Sequence, residues 1–96
     1  MSEPVVVRWV GSADVAVAPA LEHELDRAVA AAGGRVVIDM SEVRFIDSSA
    51  LGILVHAAEA ARPHGVGITL RSMPANVHRL LDLTGLSALF TFEDPD

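Results

Sequence analysis

The chain has 96 residues, a formal net charge of −6 and no cysteine. A chain of this length forms one hydrophobic core, so residues 1–96 are expected to be a single domain. The negative charge repels nucleic-acid phosphates and anionic membrane surfaces, and three phenylalanines with one tryptophan offer no stacking platform for bases. Without cysteine, disulfides and thiolate metal sites are excluded, and a reducing compartment fits. Since neither a signal peptide nor a membrane-length apolar run is visible, we expect a cytoplasmic protein.

The first half of the chain alternates strand and helix patterns. Residues 5–10 are mostly valine and predict a strand, and residues 11–14 have the composition of a loop. A helix is predicted to start near Pro19 and to stop at Gly33 and Gly34. Residues 35–40 form an apolar run that is typical of a strand buried on both faces, and residues 41–44 are predicted to form a turn.

The second half repeats this alternation. Asp47, Ser48 and Ser49 are three successive capping-type residues, and a helix is predicted after them as far as Ala61. A strand at 66–71, a helix that Gly85 ends, and a short turn or strand at 86–92 follow, and the acidic tail 93–96 is expected to fray. Alternating strands and helices predict an α/β domain with a mostly parallel sheet.

The serines that precede the second helix are the most informative polar residues. The first N–H groups of a helix lack internal partners and carry partial positive charge, so a phosphate on Ser48 or Ser49 could be received there without unfolding the helix. It would add about −1.5 to −2 charge units and repel a bound partner. Serine at a helix start is ordinarily only a cap. Asp47 is open to two interpretations: a second cap, or a group that orients an incoming kinase.

Three separated segments of the chain resemble STAS domains, and specifically anti-sigma factor antagonists. The central one carries Asp39-Met40-Ser41 and then Phe45-Ile46-Asp47-Ser48-Ser49-Ala50-Leu51-Gly52, where the family has Asp-Leu-Ser and Phe-Ile-Asp-Ser-Ser-Gly-Leu-Gly. Residues 74–86 are similar to the third helix of the family and its exit, and residues 11–14 to its Gly-Glu-Leu-Asp loop. The resemblance spans nearly the whole chain and implies a single STAS-like domain, with a mixed, mostly parallel sheet and helices packed on it.

The resemblance also implies a function. Ser49 corresponds to the phosphorylated serine of the family, with Ser48 as the second choice, and Asp14 corresponds to a loop aspartate near the kinase contact surface. The implied partner-binding residues are Asp14, Asp47, Ser48, Ser49 and Ala50. The implied partners are an anti-sigma factor with serine kinase activity, which the unphosphorylated protein binds and the phosphorylated protein releases, and a phosphatase. No catalytic, metal or cofactor site is implied.

The sequence departs from the family pattern at three places. Ala50 replaces a glycine, so a positive φ at this position would be strained. Residues 11–14 lack the acidic and aliphatic residues of the family loop. Family members usually carry a strand before the one at residues 5–10. If that strand is missing, an exposed sheet edge results, which a homodimer could cover.

Two other functions stay open at this point. The chain could be a STAS structural subunit of a bacterial transport ATPase that never takes phosphate. It could also be a hydrolase in which Ser49 pairs with a histidine, although no Gly-x-Ser-x-Gly motif surrounds the serine. The histidines have no metal-binding spacing and are His23, His56, His64 and His78.

Overall fold

The computed structural model describes residues 4–93, in which four strands alternate with three helices. The strands are β1 (Val5–Ala13), β2 (Arg35–Ile46), β3 (Gly67–Arg71) and β4 (Thr91–Glu93). The helices are α1 (Ala18–Ala31), α2 (Ser48–Ala61) and α3 (Ala75–Thr84), and short 3-10 turns occupy Arg62–His64 and Leu86–Leu89. The strands lie in the order β1-β2-β3-β4, and each neighbouring pair is parallel. The predicted α/β domain with a mostly parallel sheet is confirmed.

The core lies between one face of the sheet and the helices. Val7, Ile38 and Leu70 are paired side by side on β1, β2 and β3 and belong to one buried cluster. The same cluster contains residues from all three helices: Leu25, Leu54 and Leu81. Since successive strand residues point to opposite faces, we call this the helix face of the sheet and the opposite side its outer face.

The buried side of helix α2 is built mostly from alanine. Ala50, Ala57, Ala58 and Ala61 are all buried, with Leu54 between them. The outward side of the helix carries the exposed residues His56 and Glu59. No helix within residues 4–93 combines the length and the apolar character needed to cross a bilayer.

The first two strands are longer than predicted. Residues 11–13, expected in a loop, extend β1, and the turn expected at 41–44 is part of β2. The two strands continue to pair as far as Ala13 and Ile46, with register shifts between Arg8 and Val10 and between Gly11 and Ser12. Pairing between strands satisfies the backbone groups that turn-type residues would otherwise satisfy locally, so local composition alone was misleading here.

The end of the described chain agrees with the prediction for residues 86–92 and differs from it at Glu93. Residues 86–92, expected to be a short turn or strand, form a 3-10 turn followed by β4. Glu93, placed in the acidic tail, is the last residue of β4 and pairs with Arg71. The rest of that tail, 94–96, lies outside the described residues.

Candidate functional site

Asp47 is the residue around which the candidate site is built. It is the N-cap of α2, with extended backbone angles of φ −102° and ψ −179°, and its Oδ1 accepts the Ala50 N–H at 3.1 Å. Its Oδ2 accepts the N–H of Val15 at 3.1 Å, and its own N–H donates to the Ala13 carbonyl at 3.0 Å. One side chain therefore fixes both the start of α2 and the loop between β1 and α1, and the capping interpretation of Asp47 is confirmed.

The two serines are the first residues of α2 and do not cap it. Ser48 is exposed and Ser49 is half-buried, and neither hydroxyl has a hydrogen-bond partner within residues 4–93. The expectation that a serine hydroxyl caps the helix is wrong, because the carboxylate of the preceding Asp47 already occupies that position. Both serines belong to the first turn of α2, where a helix favours negative charge.

Asp14 lies in the loop that Asp47 holds. Its Oδ1 accepts the N–H of Ala16 at 3.1 Å, and its carbonyl accepts the N–H of Val17 at 3.1 Å. The half-buried carboxylate thus shapes its own loop. Because Asp47 binds Val15 next to it, the structure brings the loop of Asp14 to the start of α2 at the carboxyl edge of the sheet.

Two exposed valines in this loop were not singled out from the sequence. Val15 is 68% exposed and Val17 is 39% exposed. Exposed apolar residues rimmed by polar ones mark contact surfaces in many proteins. The available signal was two valines between the predicted loop at 11–14 and the predicted helix start near Pro19.

Ala50 belongs to the core and not to the surface. Its exposure is 0%, so its methyl group is out of reach of a partner. Within residues 4–93, the only non-glycine residue with a positive φ is Ser72, so alanine in place of the family's glycine causes no strain at this position. We therefore leave Ala50 out of the contact surface proposed below.

A shallow, mostly apolar groove begins at Ser48 and follows the outward side of α2. Its volume is about 360 Å³, and it is lined by Ser48, Leu51, Gly52, Val55, His56, Glu59 and Leu86. Gly52 contributes no side chain to the groove, and a Cβ at this position would meet no atom within 4 Å. A phosphate on Ser48 would stand at the end of this groove, whereas Ser49 is not among the lining residues.

The histidines are spread over the structure. His78 stacks on Phe92 with ring centroids 3.9 Å apart, and no hydrogen bond joins a histidine to Ser49 within residues 4–93. In the same range, no group of three or more histidine, aspartate and glutamate side chains could hold a metal ion.

Comparisons with known proteins agree with this geometry. A family model described as "Mlab, STAS domain" matches residues 1–91. The anti-sigma-B factor antagonist of Bacillus subtilis is 31% identical over 80 residues, which cover 83% of this chain and 72% of that protein.

Solved structures show the same architecture. An anti-sigma factor antagonist from Mycobacterium paratuberculosis has a TM-score of 0.74 and 33% identity, covering all of this chain and 84% of that one. The phosphorylated form of the Bacillus cell fate determinant SpoIIAA has a TM-score of 0.76 and 17% identity, covering all of this chain and 90% of that one.

Proposed function

Because this chain belongs to the STAS domain family, we propose that it is an anti-sigma factor antagonist whose partner is released when Ser49 is phosphorylated. The partner would be an anti-sigma factor that is also a serine kinase, and a phosphatase would reset the protein. Its relatives from Bacillus subtilis and Mycobacterium paratuberculosis are named anti-sigma factor antagonists. In this proposal the chain is a cytoplasmic binding protein and catalyses nothing itself.

One observation carries the proposal: two serine hydroxyls lie at the start of α2, beside a loop that Asp47 holds in place. The exposed residues Val15 and Ser48, with the apolar groove along α2, supply a contact surface around the serines. A phosphate at Ser49 would be received by N–H groups of the first turn, while its charge of about −2 would meet a partner that fitted a neutral hydroxyl. Release would therefore come from repulsion at the interface, with the fold unchanged.

The choice between the two serines rests on the family motif. Ser49 is the second hydroxyl of the Asp-Ser-Ser sequence, and its half-buried position would require the kinase to approach α2 closely. Ser48 is more exposed and stays the second choice. The order of preference is testable because each serine can be replaced separately.

A pull-down from native cytosol tests the proposal. Wild type is compared with Ser49→Asp, Ser49→Ala and Ser48→Ala, and phosphate on the recovered chain is located by mass spectrometry. We expect capture of an anti-sigma factor by wild type, loss of that capture with Ser49→Asp, and loss of phosphate with Ser49→Ala only. Phosphorylation that persists in Ser49→Ala but is lost in Ser48→Ala would show that Ser48 is the phosphorylated residue.

The same experiment separates the alternative of a transport ATPase subunit. That alternative predicts an ATPase subunit in the pull-down and equal capture by wild type and Ser49→Asp. Equal capture of an anti-sigma factor by the two proteins would refute the phosphate switch and leave the binding role intact.

A further inference from the structure

Four charged residues form one row across the outer face of the sheet. Arg8 of β1 pairs with Asp39 of β2, Asp39 with Arg71 of β3, and Arg71 with Glu93 of β4. Directly paired residues of neighbouring strands point to the same face. From β1 to β4 the charges alternate: positive, negative, positive, negative. We call these four residues the charged row.

The members of the charged row reach solvent. The Arg8 side chain is 62% exposed and bonds Glu42 at 3.2 Å, while the Arg71 and Glu93 side chains are 34% and 38% exposed and bond each other at 2.6 Å. Asp39 is half-buried between the two arginines, and its Oδ1 accepts the Ser41 N–H at 2.9 Å. The row is thus anchored within its own chain and still accessible.

Apolar residues accompany the row on the same face. Val6 and Val10, which flank Arg8 at alternate positions of β1, are 53% and 64% exposed. In the next row of paired residues on this face, the two central residues, Val37 and Thr69, are buried. Thr91, at the β4 end of that row, is exposed. The surface that the outer face exposes to a partner therefore consists of the charged row, Val6 and Val10 on β1, and Thr91 on β4.

We propose that the outer face is the contact surface for a second copy of this chain. The two copies would be related by a two-fold axis that lies close to the mean strand direction, between β2 and β3. This symmetry places β1 over β4 of the second copy and β2 over β3 of the second copy. The charged row of one copy therefore lies over the charged row of the other in the reverse order. Arg8 then faces Glu93 of the second copy, and Asp39 faces Arg71 of the second copy.

The complementarity is a property of the order of the charges. A row that alternates over an even number of strands changes sign at every position when it is reversed, so all four contacts join opposite charges. A row of the form positive, negative, negative, positive would instead place like charges together. In the neighbouring row, the exposed Val6 would face the exposed Thr91 of the second copy. Val37 and Thr69 are already buried within their own chain and make no contact with the second copy.

The packing geometry of sheets allows these contacts. Stacked sheets lie about 10 Å apart and cross at about −30°. A two-fold axis inclined to the mean strand direction by about half that angle gives such a crossing, and the long side chains of arginine and glutamate span the offset at the outer strands.

Charge explains why this face and not another would meet a second copy. The whole chain carries −6, so most pairs of surfaces from two copies repel each other. The charged row contains two arginines against two carboxylates, and it is electrically neutral. Opposed charges at an interface mainly fix register and exclude wrong partners, which is what a symmetric contact of this kind requires.

Analytical ultracentrifugation over a range of concentrations tests the proposal with two charge reversals. Arg8→Glu and Glu93→Arg each create two like-charge contacts per dimer, and we expect each to weaken self-association about tenfold or more. An equimolar mixture of the two variants should associate again, because the two reversed side chains then face each other with opposite charges. The second contact of such a mixed dimer is the unchanged pair of Arg8 with Glu93. The double variant should also self-associate.

The controls distinguish this contact from a general effect of net charge. Arg79→Glu, on the exposed side of α3, alters net charge as much as Arg8→Glu does and should leave association as in wild type. Arg8→Gln and Glu93→Gln should each weaken association less and should not recover on mixing. Far-UV circular dichroism of each variant establishes that the chain is folded.

Three results would overturn the proposal. One is a wild-type chain that stays monomeric at the highest concentration reached. Another is a pair of reversal variants that associate like wild type, and the third is a mixture that fails to recover. A dimer formed through the free edge of β1, which the sequence had suggested, would respond to Arg8→Glu but not to Glu93→Arg, because Glu93 lies on the opposite edge strand.

Discussion

Asp47 Oδ2 accepts the backbone N–H of Val15 at 3.1 Å, although the two residues are 32 positions apart in the chain. Its other carboxylate oxygen caps α2, so the loop after β1 and the helix after β2 share one support. A change in Asp47 should therefore alter the stability of the fold and the shape of the proposed contact surface together.

Replacement of Asp47 by alanine is expected to lower the free energy of unfolding by about 0.5–2 kcal/mol, the range for loss of an N-cap. Urea unfolding followed by tryptophan fluorescence measures this, since Trp9 is the single tryptophan and is 2% exposed. Asp47→Asn keeps one carbonyl oxygen and should lose less. If Asp47→Ala lowers the free energy of unfolding no more than Asp14→Ala does, the interpretation that Asp47 supports both the loop and the helix is contradicted.

Phosphate mimicry at Ser49 is expected to leave the fold intact. A negative charge in the first turn of a helix stabilises by about 0.3–1 kcal/mol, and repulsion from the neighbouring Asp47 acts against it. The free energy of unfolding of Ser49→Asp should therefore stay within about 1 kcal/mol of wild type. Thermal unfolding by circular dichroism measures it, with Ser49→Asn as the uncharged control. Loss of cooperative unfolding in Ser49→Asp alone would show that the charge acts through the fold and not at the interface.

Introducing the family glycine at position 50 should destabilise this chain. Ala50 is a fully buried helical residue, so Ala50→Gly loses a packed methyl group and gains backbone freedom in the unfolded state. The expected cost is about 1 kcal/mol or slightly more, measured by urea unfolding. An unchanged or higher stability would mean that the helix start is strained by alanine after all.

Ser72→Gly is the matched substitution with the opposite expected sign. Ser72 has a φ of 59°, a left-handed conformation that glycine adopts without steric cost, and its N–H donates to the Glu93 carbonyl at 2.9 Å. Glycine keeps that hydrogen bond, so the free energy of unfolding should rise by up to about 1 kcal/mol. A fall in stability would show that the serine side chain supports the turn.

The sequence predicted what depends on local pattern and missed what depends on register. Apolar runs and helical spacing indicated each helix and the first three strands, the last segment was left as a short turn or strand, and the Asp47 carboxylate was identified as a candidate cap. The extension of β1 to Ala13 and of β2 to Ile46 depends on pairing between segments about 33 residues apart, which no local composition records. The same holds for the bond from Asp47 to Val15.

The charged row shows this limit most clearly. Arg8, Asp39, Arg71 and Glu93 are far apart in the chain and have no common motif, and only the parallel register places them side by side. Their types suggest ordinary surface charge when each residue is considered alone. Ala50 illustrates the reverse case, because the family glycine suggested a special backbone conformation that the structure does not require.

Acid sensitivity provides a test of Asp39 that is independent of self-association. The pKa of Asp39 is lowered from its ordinary value of 3.8, first by the hydrogen bond from the Ser41 backbone N–H, then by the Ser41 side chain, and less by the charges of Arg8 and Arg71, while desolvation opposes the shift. A carboxylate whose pKa is lower in the folded state stabilises the protein above its unfolded pKa. That contribution is lost as the pH falls through the folded value.

We therefore expect wild type to be more stable than Asp39→Asn near neutral pH, and the difference to shrink as the pH falls below 3.8 toward the lower folded pKa. Urea unfolding of both proteins at a series of pH values, at concentrations too low for self-association, measures this difference. Glu22→Gln, which removes an exposed carboxylate of α1, controls for the loss of one negative charge. Because protonated aspartate and asparagine are both neutral, a stability difference that stays constant into the acid range would place the effect in the side-chain shape and not in the charge of Asp39.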